Sequence, residues 1–260
     1  MEVGGRELHS GRVFRAGSND VNSGSVFQGV CMKKGFTLIE LMIVIAIIAI
    51  IAAIAIPGLL RARIASNERN ASASLKSVVT GEENFKSNDL DRNNVGDYWT
   101  GDIAGLYCLQ VVATQNAISA LNDIGVASAD IFQNGNAYAN ANVTYNNALL
   151  LTPSPKSGYC YQACILNQQN IPAVAYAGNT GDGFAVHDFG KFGFMAMPVA
   201  WDSTGNHVFI VNEGASVFRR DFGAGTLAPV FGVQQATWEG ATAVDYPSAA
   251  TISASWNKVE

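Results

Sequence analysis

Glu40 is the residue whose type and position most demand chemistry. It is the last charge before Leu41–Leu60, a run of 20 residues that contains none (LMIVIAIIAIIAAIAIPGLL). A carboxylate costs about 2.5–3.5 kcal/mol at the centre of a membrane helix and less near an end, where it can reach the interface. Glu40 is therefore either a tolerated interfacial charge or a carboxylate that needs a cation from elsewhere. Lys33 and Lys34 stand just before the apolar run and belong on the cytoplasmic side. Arg61 and Arg63 flank its other end, so charge bias alone leaves the orientation open.

Other reactive side chains offer less. His187 and Asp188, with Asp182 nearby, could be ligands or an acid/base pair, but a His and an Asp beside turns in a strand-rich region are more often surface polar groups. The chain has no G-x-S-x-G nucleophile elbow, so hydrolase chemistry has no foothold. Pro155-Lys156-Ser157 lacks the frame of a phosphate loop, and Gly223-Ala224-Gly225-Thr226 lacks a dinucleotide fingerprint. The four cysteines are Cys31, Cys108, Cys160 and Cys164. They do not form the paired C-x-x-C of a zinc ribbon, so no metal site is expected. On one extended strand Cys160 and Cys164 would lie about 13 Å apart, too far to bridge. The expected disulfide is Cys108 with Cys160 or Cys164. A formal charge of −5 argues against nucleic-acid binding, which needs clustered Lys and Arg. No cofactor is expected, and the chain is not read as an enzyme.

The elements that hold these residues follow from the hydrophobic pattern. At about 1.5 Å per residue, some 20 helical residues cross a ~30 Å hydrocarbon core, and Leu41–Leu60 is that long. Beyond Leu60 the sequence turns amphipathic, with Ile64, Ala71, Leu75, Val78 and Phe85 recurring at helical spacing. One helix over 36–87 is expected, its membrane segment at 38–60, its first half apolar all round and its second half carrying one apolar stripe. Pro57 removes a backbone hydrogen bond, which predicts a kink or a meltable turn.

Asn88 to Gly101 (NDLDRNNVGDYWTG) reads as a loop. Ile103–Leu151 is rich in Ala and Asn and reads as short helices and loops. Past Pro155 the expected strands are Tyr159–Ile165, Val174–Tyr176, Phe184–His187, Phe192–Met197, His207–Asn212 and Val217–Arg220, joined by Gly-bearing turns into an antiparallel meander. Trp238–Glu260 carries no clear pattern. Met1–Cys31 is polar and Gly- and Ser-rich, and is expected to be an over-extended translation start ahead of Met32, with a long leader as the alternative.

Lys33-Lys34-Gly35-Phe36-Thr37-Leu38-Ile39-Glu40 resembles the class III signal of type IV pilins and type II secretion pseudopilins. In that family a basic leader ends in Gly, an N-methylated aromatic residue follows, and Glu is the fifth mature residue. The resemblance implies that prepilin peptidase cuts between Gly35 and Phe36 and methylates the Phe36 amine. It further implies that Glu40 pairs with that amine on a neighbouring subunit, since a lone charge in a low-dielectric filament core is strongly disfavoured. Pro57 falls where many members carry a helix-breaking proline. Lys156-Ser157-Gly158-Tyr159, Gly205 with Phe209–Glu213, and Val217 with Arg219 resemble the sheet of pseudopilin-like proteins and hint at fold only.

The expected architecture is α+β, a long N-terminal helix packed on an antiparallel sheet in a domain spanning 88–260, with residues 1–35 as leader. The expected function is structural, as a subunit of a type IV pilus or a type II secretion pseudopilus. The alternative is a minor tip pilin, an adhesin or a membrane-anchored binding protein. The implied partners are copies of itself and other pilins, prepilin peptidase and the inner-membrane assembly platform. The implied location is the bacterial inner membrane before assembly, then a surface pilus or a periplasmic pseudopilus.

Overall fold

The computed structural model describes residues 35–101, 103–112, 115–116, 144–145, 154–164, 166–167, 174–175, 187–223 and 245–259, with 118, 121 and 124. The fold is α+β. Its first element is α1, a helix of 51 residues over Leu38–Asn88. From Leu38 to Leu60 its side chains are exposed except for the half-buried Ala52. This is a helix long and apolar enough to cross a membrane. The helix continues without a break through Pro57. The missing Pro57 N–H nonetheless leaves the Ala53 carbonyl without its usual partner.

After Arg63 the environment of α1 changes. Ala71, Leu75, Val78, Val79 and Phe85 are buried, at spacings that keep them on one stripe. They join one face of a five-stranded sheet, represented by Tyr159, Tyr161, Phe194 and Phe209, in a single apolar cluster. Phe85 and Trp99 meet edge to face at 6.1 Å between centroids. Gly81 sits where α1 is approached most closely, because a Cβ there would lie 3.0 Å from Leu121 Cδ1. A glycine in mid-helix is thus explained by packing.

The sheet runs in the order Asn257–Lys258, Phe218–Arg220, Val208–Asn212, Gly193–Pro198, Tyr159–Ala163, with all neighbours antiparallel. Register puts Tyr161 opposite Ala196 and Ala196 opposite Phe209, all facing α1. One residue along, Gln162, Met195 and Ile210 form a row across the same strands. Met195 and Ile210 belong to a second cluster with Met197, Val208, Tyr246 and Trp256. Tyr159–Ala163, Gly193–Pro198 and Val208–Asn212 are buried at every position because both faces are covered.

Four of the six expected strands form this sheet, but the meander is interrupted. Tyr159–Ala163 pairs with Gly193–Pro198, whereas Val174–Ala175 pairs with Leu166–Asn167, which lies parallel to Asp245–Tyr246. His187–Asp188 pairs with Tyr98–Trp99 in a further two-stranded sheet, and Phe184 lies outside the described residues. Ile103–Leu151 holds more order than its composition suggested: a short helix at Ile103–Cys108 and strands at Leu109–Val112, Gln115–Asn116 and Thr144–Tyr145. The tail supplies a helix at Ala249–Ser255, capped by Ser248, and the edge strand Asn257–Lys258. Thr144–Tyr145, beside Leu109–Gln110, and Asn257–Lys258, beside Phe218–Arg219, owe their form to partners distant in sequence, which local composition does not encode.

Gly205 matters for the sheet's end. A Cβ there would collide with the Tyr159 ring, whose hydroxyl donates to the His207 carbonyl at 2.9 Å. Gly158, in the left-handed region at φ 73°, faces Thr204 across the same turn. Gly205→Ala is expected to destabilise the protein by about 1–3 kcal/mol through overpacking. Gly190→Ala, where a Cβ meets nothing within 4 Å, is expected to cost a few tenths at most. Urea unfolding of the full chain in detergent measures both; equal midpoints for the two variants would refute the Tyr159 argument.

Candidate assembly site on the amino-terminal helix

Gly35 and Phe36 precede α1. A Cβ on Gly35 would meet nothing within 4 Å, so no packing contact of this chain demands glycine there. Phe36 is exposed.

Thr37 and Glu40 form a capping box. Thr37 is the residue before the first helical position, and its Oγ1 accepts the Glu40 N–H at 3.3 Å. In return Glu40 Oε2 accepts the Thr37 N–H at 2.9 Å and the Thr37 hydroxyl at 2.7 Å. Two N–H groups that the helix leaves open are satisfied reciprocally. Both contacts use Oε2. The sequence signal for this was present as T-x-x-E ahead of an apolar run, and Thr37 is the functional residue that the sequence analysis missed.

From Arg61 onward α1 exchanges apolar exposure for polar anchorage. Asn67 Nδ2 donates to the Thr204 carbonyl at 2.9 Å. Glu68 Oε1 accepts the Asn206 N–H at 2.9 Å and lies 2.8 Å from His207 Nδ1. Asn70 Nδ2 reaches Ser157 Oγ at 3.3 Å. Burial pushes the Glu68 carboxyl up, but the His207 and Asn206 hydrogen bonds and the charges of His207 and Arg219 outweigh it and hold it below the usual range. Lower down, Lys86 Nζ donates to the Phe189 carbonyl at 2.7 Å and lies 4.0 Å over the Tyr98 ring.

The remaining candidates separate. Asp188 is buried, not on the surface as expected, and its Oδ1 accepts the N–H groups of Gly190 and Lys191 at 2.8 and 2.9 Å, which closes a turn. Asp182 and the side chain of His187 lie outside the described residues. Cys160 is a buried thiol, pushed up to about 12 by burial, and Cys164 is buried beside Met195 and Met197. The side chain of Cys108 lies outside the described residues, so its pairing stays a proposal.

Two family models match the chain. One, described as the prokaryotic N-terminal methylation motif, covers residues 31–56. The other, described as a protein of unknown function (DUF2950), covers residues 54–236. Over 54 residues the chain is 50% identical to the type IV major pilin protein PilA of Myxococcus xanthus, covering 21% of this chain and 24% of that protein. Over 81 residues it is 44% identical to the type IV wide pilus major component PilA4 of Thermus thermophilus, covering 31% of this chain and 56% of that protein. The chain thus spans about a quarter of one curated relative and just over half of the other. No solved structure matches it.

Thr37→Val is expected to weaken the helix start by about 1 kcal/mol, visible as faster amide exchange in the first turn of α1 while global unfolding is unchanged. Unaltered exchange at Glu40 and Leu41 would count against the capping box. The Glu68 pair should be pH-dependent with a definite sign. The folded pKa is lowered, so its stabilisation is present above the ordinary carboxylate range and is lost as pH falls through the folded value. Glu68→Gln is therefore expected to destabilise the chain at pH 7, by a margin that shrinks as pH falls through the folded value. A gap that stays constant as pH falls would contradict this.

Proposed function

We propose a filament subunit: this chain belongs to the family described as protein of unknown function (DUF2950), and its amino-terminal segment carries the prokaryotic N-terminal methylation motif. The observation that carries the reading is Glu40. Inside that motif a single carboxylate, exposed and held through one oxygen by Thr37, stands at the head of an exposed, uncharged helical stretch. In this reading the residues before Phe36 are a leader removed on the cytoplasmic side. Phe36 becomes the new, methylated terminus, and its positive amine meets the Glu40 carboxylate of a neighbouring copy. That amine exists only after cleavage, so assembly is conditional on processing, and the pair sets the axial register between subunits.

Residues 38–60 hold the subunit in the inner membrane before assembly and pack against like helices afterwards. In either place the apolar surface leaves water, the dominant favourable term for burial. Pro57 locally weakens α1, which lets the upper helix adjust as subunits pack. The domain over 88–260 remains outside the membrane, and its role is structural, not enzymatic. A type IV pilus is preferred to a secretion pseudopilus because both similar relatives bear the names of type IV pilus components. Prepilin peptidase and an assembly platform in the inner membrane are the partners that this route requires.

Glu40→Ala is expected to leave membrane insertion and cleavage intact and to abolish or sharply reduce filaments seen by electron microscopy. Normal filaments from this variant would remove the register role. Gly35→Leu is expected to leave uncut precursor in the membrane. Mass analysis of the mature amino terminus decides the processing step, with methylated Phe36 expected and a retained Met1 or Met32 excluding it.

A further inference from the structure

The loop that follows α1 has a spacing of oxygen donors not used by the reading above. Asp89, Asp91, Asn93 and Asp97 occupy the first, third, fifth and ninth places of a run in which Val95, the seventh, contributes a backbone carbonyl. Those are the ligand places of the twelve-residue calcium loop, whose sixth residue makes a sharp turn. Here the sixth residue is Asn94, in the left-handed region at φ 62°. Asp89 accepts the N–H groups of Asn93 at 3.1 Å and Asn94 at 3.0 Å, and Asn93 accepts the Val95 N–H, so the loop is wound about its own first carboxylate. The departure is at the twelfth place, where Thr100 stands instead of the usual bidentate glutamate.

A second observation supplies the missing carboxylate. Glu82, on α1, is fully buried, and its Oε2 accepts the Trp99 N–H at 3.0 Å, two residues beyond Asp97. Its Oε1 has no hydrogen-bond partner among the described residues, and neither does the hydroxyl of the buried Thr100. Asp91 and Asp97 are buried as well. Asp91, Asp97 and Glu82 are thus three buried carboxyls close enough for Asp97 to act electrostatically on the other two, an arrangement that a shared cation stabilises.

We propose that residues 89–100, together with Glu82, bind a calcium ion that ties the loop to α1. All the donors are oxygens, which suits a hard cation with flexible coordination and disfavours zinc. Lack of C-x-x-C pairs, which excluded a zinc ribbon, does not bear on such a site. Among the described residues no three Asp, Glu, His or Cys side chains already converge as a cage. Asp89 and Asp91 must therefore turn toward Asp97 on binding, and that reorganisation places the affinity in the weak extracellular class, with Kd about 10⁻⁴–10⁻³ M.

The test uses the full chain in detergent, stripped with chelator and titrated with calcium chloride. At about 10 mM calcium the thermal midpoint should rise by about 3–5 °C, with magnesium at the same concentration giving less than half of that. Asp91→Asn and Asp97→Asn should each weaken the response at least about tenfold in calcium concentration. Terbium, used in place of calcium, should emit on excitation of tryptophan, and Trp99→Phe should remove most of that emission while the calcium-induced midpoint rise persists. An unchanged parent midpoint overturns the proposal. So does an undiminished calcium response in Asp91→Asn, or terbium emission indifferent to Trp99→Phe. If Asp97→Asn does not fold, the Asp91 and Trp99 variants decide.

Discussion

From Leu41 to Leu60 no side chain of α1 carries a charge, and almost all are exposed. Such a surface cannot rest in water, since each apolar side chain left there forgoes about 1.5–3 kcal/mol of burial. The same helix, two turns past Arg63, is buried along one stripe against a sheet. Thus a single element must satisfy an apolar medium over one stretch and an aqueous domain over the next. The features around it follow from that requirement: a capped start, a polar girdle where the media change, and a close-packed lower half.

The polar girdle sits where the physics requires it. Asn67, Glu68 and Asn70 bind the turn around Thr204–His207 and the hairpin at Ser157 just before the buried stripe begins. Gly158 and Gly205 allow that turn to approach closely, and the Tyr159 ring fills the space a side chain would need. Hydrogen bonds of this kind are modest singly. Their value lies in fixing the rotation of α1, and so deciding which residues form the stripe.

The sheet is buried on both faces because two different parts of the chain cover it. α1 takes one face, while Tyr246, Trp256 and Ile252 take the other. The last strand, Asn257–Lys258, extends the sheet beside Phe218–Arg220. The carboxyl-terminal segment is therefore part of the core, and its contribution comes from three residue types (Tyr, Trp, Ile) dispersed in a polar stretch.

Local pattern alone determined α1, the reach of its apolar half, the positions of Gly35, Phe36 and Glu40, and four strands of the sheet. Each is a signal of composition or spacing read within a few turns of chain. The T-x-x-E box at Thr37 and the oxygen-donor spacing at Asp89–Asp97 were equally local and were legible in principle. Other features needed the tertiary structure. The pairing of Tyr159–Ala163 with Gly193–Pro198 across a long excursion, the strands of 109–145 and the use of the tail depend on contacts between distant residues, for which short strands carry no signal of their own. The burial of Glu82 and Asp188 is of the same kind. A carboxylate in sequence reads as surface, and only the packing of α1 and the neighbouring strands takes these two out of water.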